Sequence, residues 1–233
     1  MECWFWQKSL YTKVNNIIHL VNNMRRETAL KIIALLRKEK GEGPTIREIS
    51  KKLHIGYRPA YNHIMGLEKE EAIILKTVGK AKQSSLNMDS LKCRYLLQEV
   101  DLIRKEGLYN KNKTLKAVLE NLIKKITNKF TAEIHSICLF GSYAKGMATK
   151  ASDVDLFFMV GDLKKKSMRE AVERECAGYQ YSHNLNISPF ITDIEEFKKM
   201  LKAQEMTIGK EVRDSGIALY GSEQFWRVIA WQE

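Results

Sequence analysis

Apolar side chains recur at helical spacing along the first part of the chain. Leu10, Val14, Ile17, Ile18 and Val21 predict a helix within residues 4–24. The cluster Trp4, Phe5 and Trp6 beside it needs burial on this chain or on a second copy, so a homodimer is expected. A second helix is read over 27–38, with Leu30, Ile33 and Ala34 on one side and Ile32, Leu35 and Leu36 adjacent, stopped by Gly41-Glu42-Gly43-Pro44. Thr45-Ile46-Arg47-Glu48 has the form of a capping box and opens a short helix with Ile46, Ile49 and Leu53 on one face. His54-Ile55-Gly56 then makes a tight turn. The helix over 57–70 turns Ala60, Ile64 and Leu67 inward and leaves Tyr57, Arg58, Tyr61, Asn62 and Met65 outward. Residues 73–78 read as a strand, 79–83 as a hairpin tip and 84–87 as the returning strand.

From residue 89 the pattern changes. Leu91, Tyr95, Leu96, Val100 and Ile103 form one stripe that breaks near Gly107, and Leu115, Val118, Leu119, Leu122, Ile123 and Ile126 form another, with a solvated Lys111-Asn112-Lys113 loop between them. Buried strands are read over 134–140 and 154–160, a helix over 168–177, a strand over 185–191 and a helix over 194–201. Ile217-Ala218-Leu219-Tyr220 is a short apolar stretch before Gly221. Strands mixed with helices place the chain in the α+β class, with a covered sheet in its second half.

Three helices with a short turn between the last two, followed by a hairpin, resemble a winged helix-turn-helix over residues 25–88. The resemblance implies duplex DNA as a partner. Tyr57, Arg58, Tyr61 and Asn62 would face the major groove, and Lys80 and Lys82 at the wing tip would meet phosphates. Charge agrees with this. The chain carries 39 Lys and Arg against 28 Asp and Glu, a formal net charge of +11, and 16 basic and 9 acidic residues of these fall within residues 1–90. Four cysteines, Cys3, Cys93, Cys138 and Cys176, have neither metal-ligand nor redox-motif spacing, so reduced thiols in a cytoplasmic protein are expected. The amino terminus lacks a basic segment followed by an apolar one, and no apolar run approaches the roughly 20 residues of a membrane span, so neither secretion nor a membrane partner is expected.

The stretch richest in chemistry is Leu139-Phe140-Gly141-Ser142-Tyr143-Ala144-Lys145-Gly146, followed by Ala151-Ser152-Asp153-Val154-Asp155-Leu156. A strand ending on Gly141-Ser142 where a helix begins presents backbone N–H groups to an anion. Asp153 and Asp155, at i and i+2 at the start of a strand, project to the same side, their Cα atoms about 6.6 Å apart. Two carboxylates at that spacing can converge on a divalent ion, Mg²⁺ being the natural choice beside phosphates.

A Gly-Ser strand end followed about ten residues later by Asp-x-Asp resembles the nucleotidyltransferase superfamily, the DNA polymerase beta-like group in its minimal form, over residues 110–233. The tail Ser215-Gly216-Ile217-Ala218-Leu219-Tyr220-Gly221 fits it too. A winged helix fused in front looks like prokaryotic, often archaeal, nucleotidyltransferase-domain regulators. The domains expected are therefore an N-terminal helix (1–24), a winged helix-turn-helix (25–88), a helical connector (89–130) and a nucleotidyltransferase-like mixed sheet with flanking helices (131–233). The resemblance implies transfer of a nucleoside monophosphate from an NTP to an acceptor. Gly141 and Ser142 would bind the nucleotide, Lys145 would contact phosphate or merely solvate its helix, and Asp153 and Asp155 would be the catalytic metal ligands. Active members usually bring a third carboxylate on a later strand. Here residues 184–191 hold no acid, and Asn186 or Ser188 would face the site. Asp193 reads as a helix cap, Glu175 as a solvated helix position, and His135 and His183 as surface or structural residues. A transcription regulator whose nucleotidyltransferase domain binds nucleotide or is inactive is the alternative.

Overall fold

The computed structural model describes residues 26–39, 42–163 and 166–231; the helix expected within 4–24 and its aromatic cluster lie outside the described residues. The chain divides into two compact units, Met1–Asn87 and Met88–Glu233.

In the first unit, helix α1 (26–36) is followed by α2 (Ile46–Lys52), α3 (Tyr57–Lys69) and a hairpin of β1 (Ile73–Val78) and β2 (Ala81–Leu86). The capping box at α2 is complete: Thr45 Oγ1 accepts from the Glu48 amide, and Glu48 returns a carboxylate oxygen to the Thr45 amide at 2.8 Å. Ile32, Ile33, Ile49, Ala60 and Ile64 are fully buried where the three helices meet. The hairpin turn is tighter than expected. Val78 pairs with Ala81, so only Gly79 and Lys80 form the loop, and Lys82 sits within β2 opposite Thr77 instead of at the tip. Gly79, at φ 59°, supplies the positive φ such a two-residue turn requires.

In the second unit, α4 (Leu91–Lys111) and α5 (Lys113–Lys129) lead into a sheet built from β3 (Ile134–Phe140), β4 (Val154–Val160), β5 (Ile187–Asp193) and β6 (Ile217–Tyr220), with α6 (Gly141–Lys145), α7 (Lys166–His183), α8 (Ile194–Lys202), α9 (Ile208–Ser215) and α10 (Ser222–Ala230) around it. The strand order is β5-β4-β3-β6; β3 runs antiparallel to β4 and to β6, and β4 runs parallel to β5. Helices cover both faces. Leu139, Leu156 and Phe158 share one core with Leu119 and Leu122 of α5 and Met168 and Val172 of α7. On the other face Phe157 stacks on Phe190 and meets Phe197 of α8, which stacks on Phe225 of α10.

Four expectations change here. Helix α4 runs unbroken through Gly107 and is separated from α5 by Asn112 alone, whose side chain accepts from the Leu115 amide to start the next helix. Its buried face is Cys93, Leu97, Val100 and Asp101, while Leu91, Tyr95 and Ile103 are exposed. The apolar stripe misled because the buried position Asp101 is polar: its carboxylate accepts from Trp226 Nε1 at 2.9 Å. Strand β5 begins two residues later than expected and α7 extends to His183. Among the described residues, no helix is long and apolar enough to cross a membrane.

Candidate active site

The site lies where β3 ends. Phe140, its last residue, pairs with Asp155 of β4, and the chain turns at once into α6. Gly141 makes that turn at φ 66°, a conformation other L-residues rarely adopt. It also leaves space: a Cβ on Gly141 would lie 2.0 Å from Asp155 Oδ2. Helix α6 is one turn long and closes at Gly146 in the left-handed region, with the Met147 amide donating to Ser142 O at 2.9 Å. The chain returns through a loop in which Thr149 and Ser152 bond one another, the Thr149 amide donating to Ser152 Oγ at 2.9 Å, and delivers Asp153 to the edge of β4.

Strand alternation does the rest. Val154 and Leu156 are fully buried in the core under α5 and α7, so Asp153 and Asp155 project from the opposite side. Asp153 is exposed and Asp155 half-buried. Burial pushes the Asp155 carboxyl above the ordinary carboxylate range; the neighbouring charges of Asp153 and Glu211 add to this and Lys145 opposes it. A pair of acids whose mutual repulsion is incompletely offset is a setting a cation relieves.

Parallel β5 supplies the neighbouring wall. Asn186 accepts the Val154 amide on its carbonyl at 2.8 Å, and its side-chain amide donates to Asp153 Oδ1 at 2.9 Å. Ser188 is the register partner of Asp155. The position beside the aspartate pair therefore holds an amide and a hydroxyl, and Asp193 is spent capping α8, accepting from the Glu196 amide at 2.8 Å. Lys145, expected near phosphate or in solvent, is ion-paired with Glu211 of α9. Glu211 was not legible in the sequence: it stands 56 residues beyond Asp155 with no motif around it, and only the return of α9 to α6 brings it in.

The donor set suits a hard cation that arrives with a polyphosphate. Among the described residues no group of three or more His, Cys, Asp or Glu is arranged to hold a metal ion. Mg²⁺, however, is commonly held by one or two carboxylates with substrate oxygens and water completing its shell. Two same-side aspartates, one of them held above its usual pKa range by burial and like charge, meet that need.

The model of a family described as polymerase beta, nucleotidyltransferase matches residues 120–224, from α5 into α10. A protein of Methanocaldococcus jannaschii, provisionally named a protein adenylyltransferase, is 32% identical over 117 residues, 49% of this chain and 78% of that one. The chain belongs to the polymerase beta nucleotidyltransferase family. A second protein of that organism with the same provisional name is 26% identical over 85 residues, 36% of this chain and 81% of its own. A solved chain, described as the crystal structure of a toxin-antitoxin with AMP-PNP, overlaps at a TM-score of 0.33 and 19% identity over 48% of this chain and 83% of that one, too slight a likeness to carry weight. Gly141, Ser142, Lys145, Asp153, Asp155, Asn186, Ser188 and Glu211 all fall inside the matched residues.

Proposed function

We propose that this nucleotidyltransferase transfers a nucleoside monophosphate from a Mg²⁺-bound NTP to an acceptor hydroxyl. The names of the M. jannaschii relatives favour ATP as the donor and a protein as the acceptor. The observation that carries the reading is the close approach of the Gly141 turn to Asp155, whose Oδ2 lies 2.0 Å from where a Cβ on Gly141 would stand, with Asp153 projecting from the same side of β4. Ser142 and the amides of the corner bind the β- and γ-phosphates. Asp153 and Asp155 would hold the metal, which when bound would neutralise the triphosphate and the charge that builds up on the departing pyrophosphate. The acceptor hydroxyl gives up its proton to solvent and its oxygen forms a bond to the α-phosphorus as the bond from that phosphorus to the bridging oxygen breaks and pyrophosphate leaves. Asn186 fixes the Asp153 carboxylate by donating to it, so that aspartate meets its ligand pre-oriented. To reach phosphate, Lys145 exchanges its pairing with Glu211 for one with the nucleotide.

The test is incubation of the protein with α-labelled NTPs and Mg²⁺ in an extract of its source cells. Label is expected on one or a few macromolecules from one NTP; no transfer to any acceptor would contradict the enzymatic reading.

One observation favours a second reading. The wall beside the aspartates carries Asn186 and Ser188, neither of which takes a proton near neutral pH. In that reading the nucleotide is bound and sensed, and the first unit acts as a winged helix-turn-helix on duplex DNA. What supports DNA binding is the outward face of α3, where Tyr57, Arg58, Tyr61 and Asn62 are all exposed, together with exposed Lys80 and Lys82 on the hairpin. Arg58→Ala is expected to weaken binding to duplex DNA and flatten sequence preference by about 1–3 kcal/mol at one base position, measured by fluorescence anisotropy against a selected duplex library. Equal binding by wild type and variant would remove α3 as the recognition helix.

A further inference from the structure

We propose that Arg104, on α4 and outside the motif, is the positioning residue that sets the phosphate-binding corner; the proposal rests on the nucleotide-site reading above. Its guanidinium donates in two directions at once. Nη2 reaches Ala144 O of α6 at 3.0 Å and Ser215 O of α9 at 2.7 Å, and Nη1 reaches Gly216 O at 2.6 Å. These three carbonyls belong to the C-terminal ends of two helices, where backbone acceptors lack intrahelical partners and a positive charge is favoured.

The contact matters because α6 cannot hold itself in place. It is a single turn of five residues, far below the length at which a helix is stable alone. Its seat must come from outside, and Ala144 lies two residues after Ser142. The same guanidinium grips the residue before β6, so α6, α9 and the edge strand are referred to one rigid fork. Lys145 and Glu211 make a second tie between α6 and α9. Arg104 is itself set on a firm base: Asp101, one turn earlier on α4, is buried and accepts from Trp226 of α10. A lysine at 104 keeps the charge and the stem but has no planar fork, so it cannot hold three carbonyls from two elements in fixed relation.

Arg104→Lys tests this in the full-length protein, by two measurements. In the nucleotide-free protein, amide hydrogen exchange is followed at Gly146 and Met147, whose N–H groups close α6 onto Tyr143 and Ser142. Magnesium-dependent binding of α,β-methylene-ATP is followed by isothermal titration, with a urea midpoint for each protein. The expected result is at least about tenfold faster exchange at those two amides and about tenfold weaker nucleotide binding, with the urea midpoint little changed. Wild type that binds but a variant with equal affinity overturns the positioning role alone. So does a variant whose midpoint collapses, since Arg104 would then support the whole unit and not one corner. Wild type that does not bind the nucleotide overturns the site reading and this proposal together.

Discussion

Asp155→Asn is expected to abolish nucleotidyl transfer while making the protein more stable at neutral pH. The loss follows from the proposed function: Asp155 is the carboxylate beside the Gly141 turn and one of the two proposed metal ligands, and removing its charge would forfeit several kcal/mol of charge stabilisation, at about 1.4 kcal/mol per tenfold in rate. At least a hundredfold fall in rate of label transfer is therefore expected. The gain in stability follows from the sign of the pKa shift. Burial and then the charges of Asp153 and Glu211 raise the Asp155 carboxyl in the folded state. A group whose folded pKa lies above its unfolded value favours folding while both states are protonated. That benefit is lost as pH rises through the folded pKa, so at neutral pH ionised Asp155 works against the fold. Asparagine carries no charge to lose. The variant should unfold at a higher urea concentration than wild type near pH 7, and the gap should shrink as pH falls below the ordinary carboxylate range. A variant less stable than wild type at pH 7 would show that the carboxylate is compensated by contacts of its own.

Gly141→Ala is expected to damage the same site through the backbone. At φ 66° a Cβ costs about 1–2 kcal/mol by itself. The added methyl would also lie 2.0 Å from Asp155 Oδ2 and 3.0 Å from its Cγ. The aspartate side chain is short, so relief comes only from turning the carboxylate away or from bending the corner, and either separates the two halves of the site. Thermal unfolding should show the backbone cost, and nucleotide binding should fall by at least tenfold. Retained binding with an unaltered melting temperature would mean that the corner does not hold the geometry on which the site depends.

Much of this was written in the sequence where one strand or one helix face suffices to express it. The apolar runs of β3 and β4, the Gly141-Ser142 turn and the spacing of Asp153 and Asp155 are local features, and local spacing fixes which side a strand residue faces. The face of α4 was not legible, because its buried side includes Asp101, whose partner Trp226 lies 125 residues away. Helix α9 left little trace: within Ile208–Ser215 only Gly209 and Val212 are buried. The two polar ties on α6, from Arg104 and Glu211, span 40 and 66 residues. Long-range polar contacts carry no periodicity, so no pattern announces them.

Isothermal titration of α,β-methylene-ATP against wild type and Asp153→Asn, each with Mg²⁺ and with EDTA, bears most directly on the site. Saturable binding by wild type that requires Mg²⁺, and its loss in the variant at an unchanged urea midpoint, is the expected outcome. Binding that is indifferent to both the metal and Asp153 would contradict it.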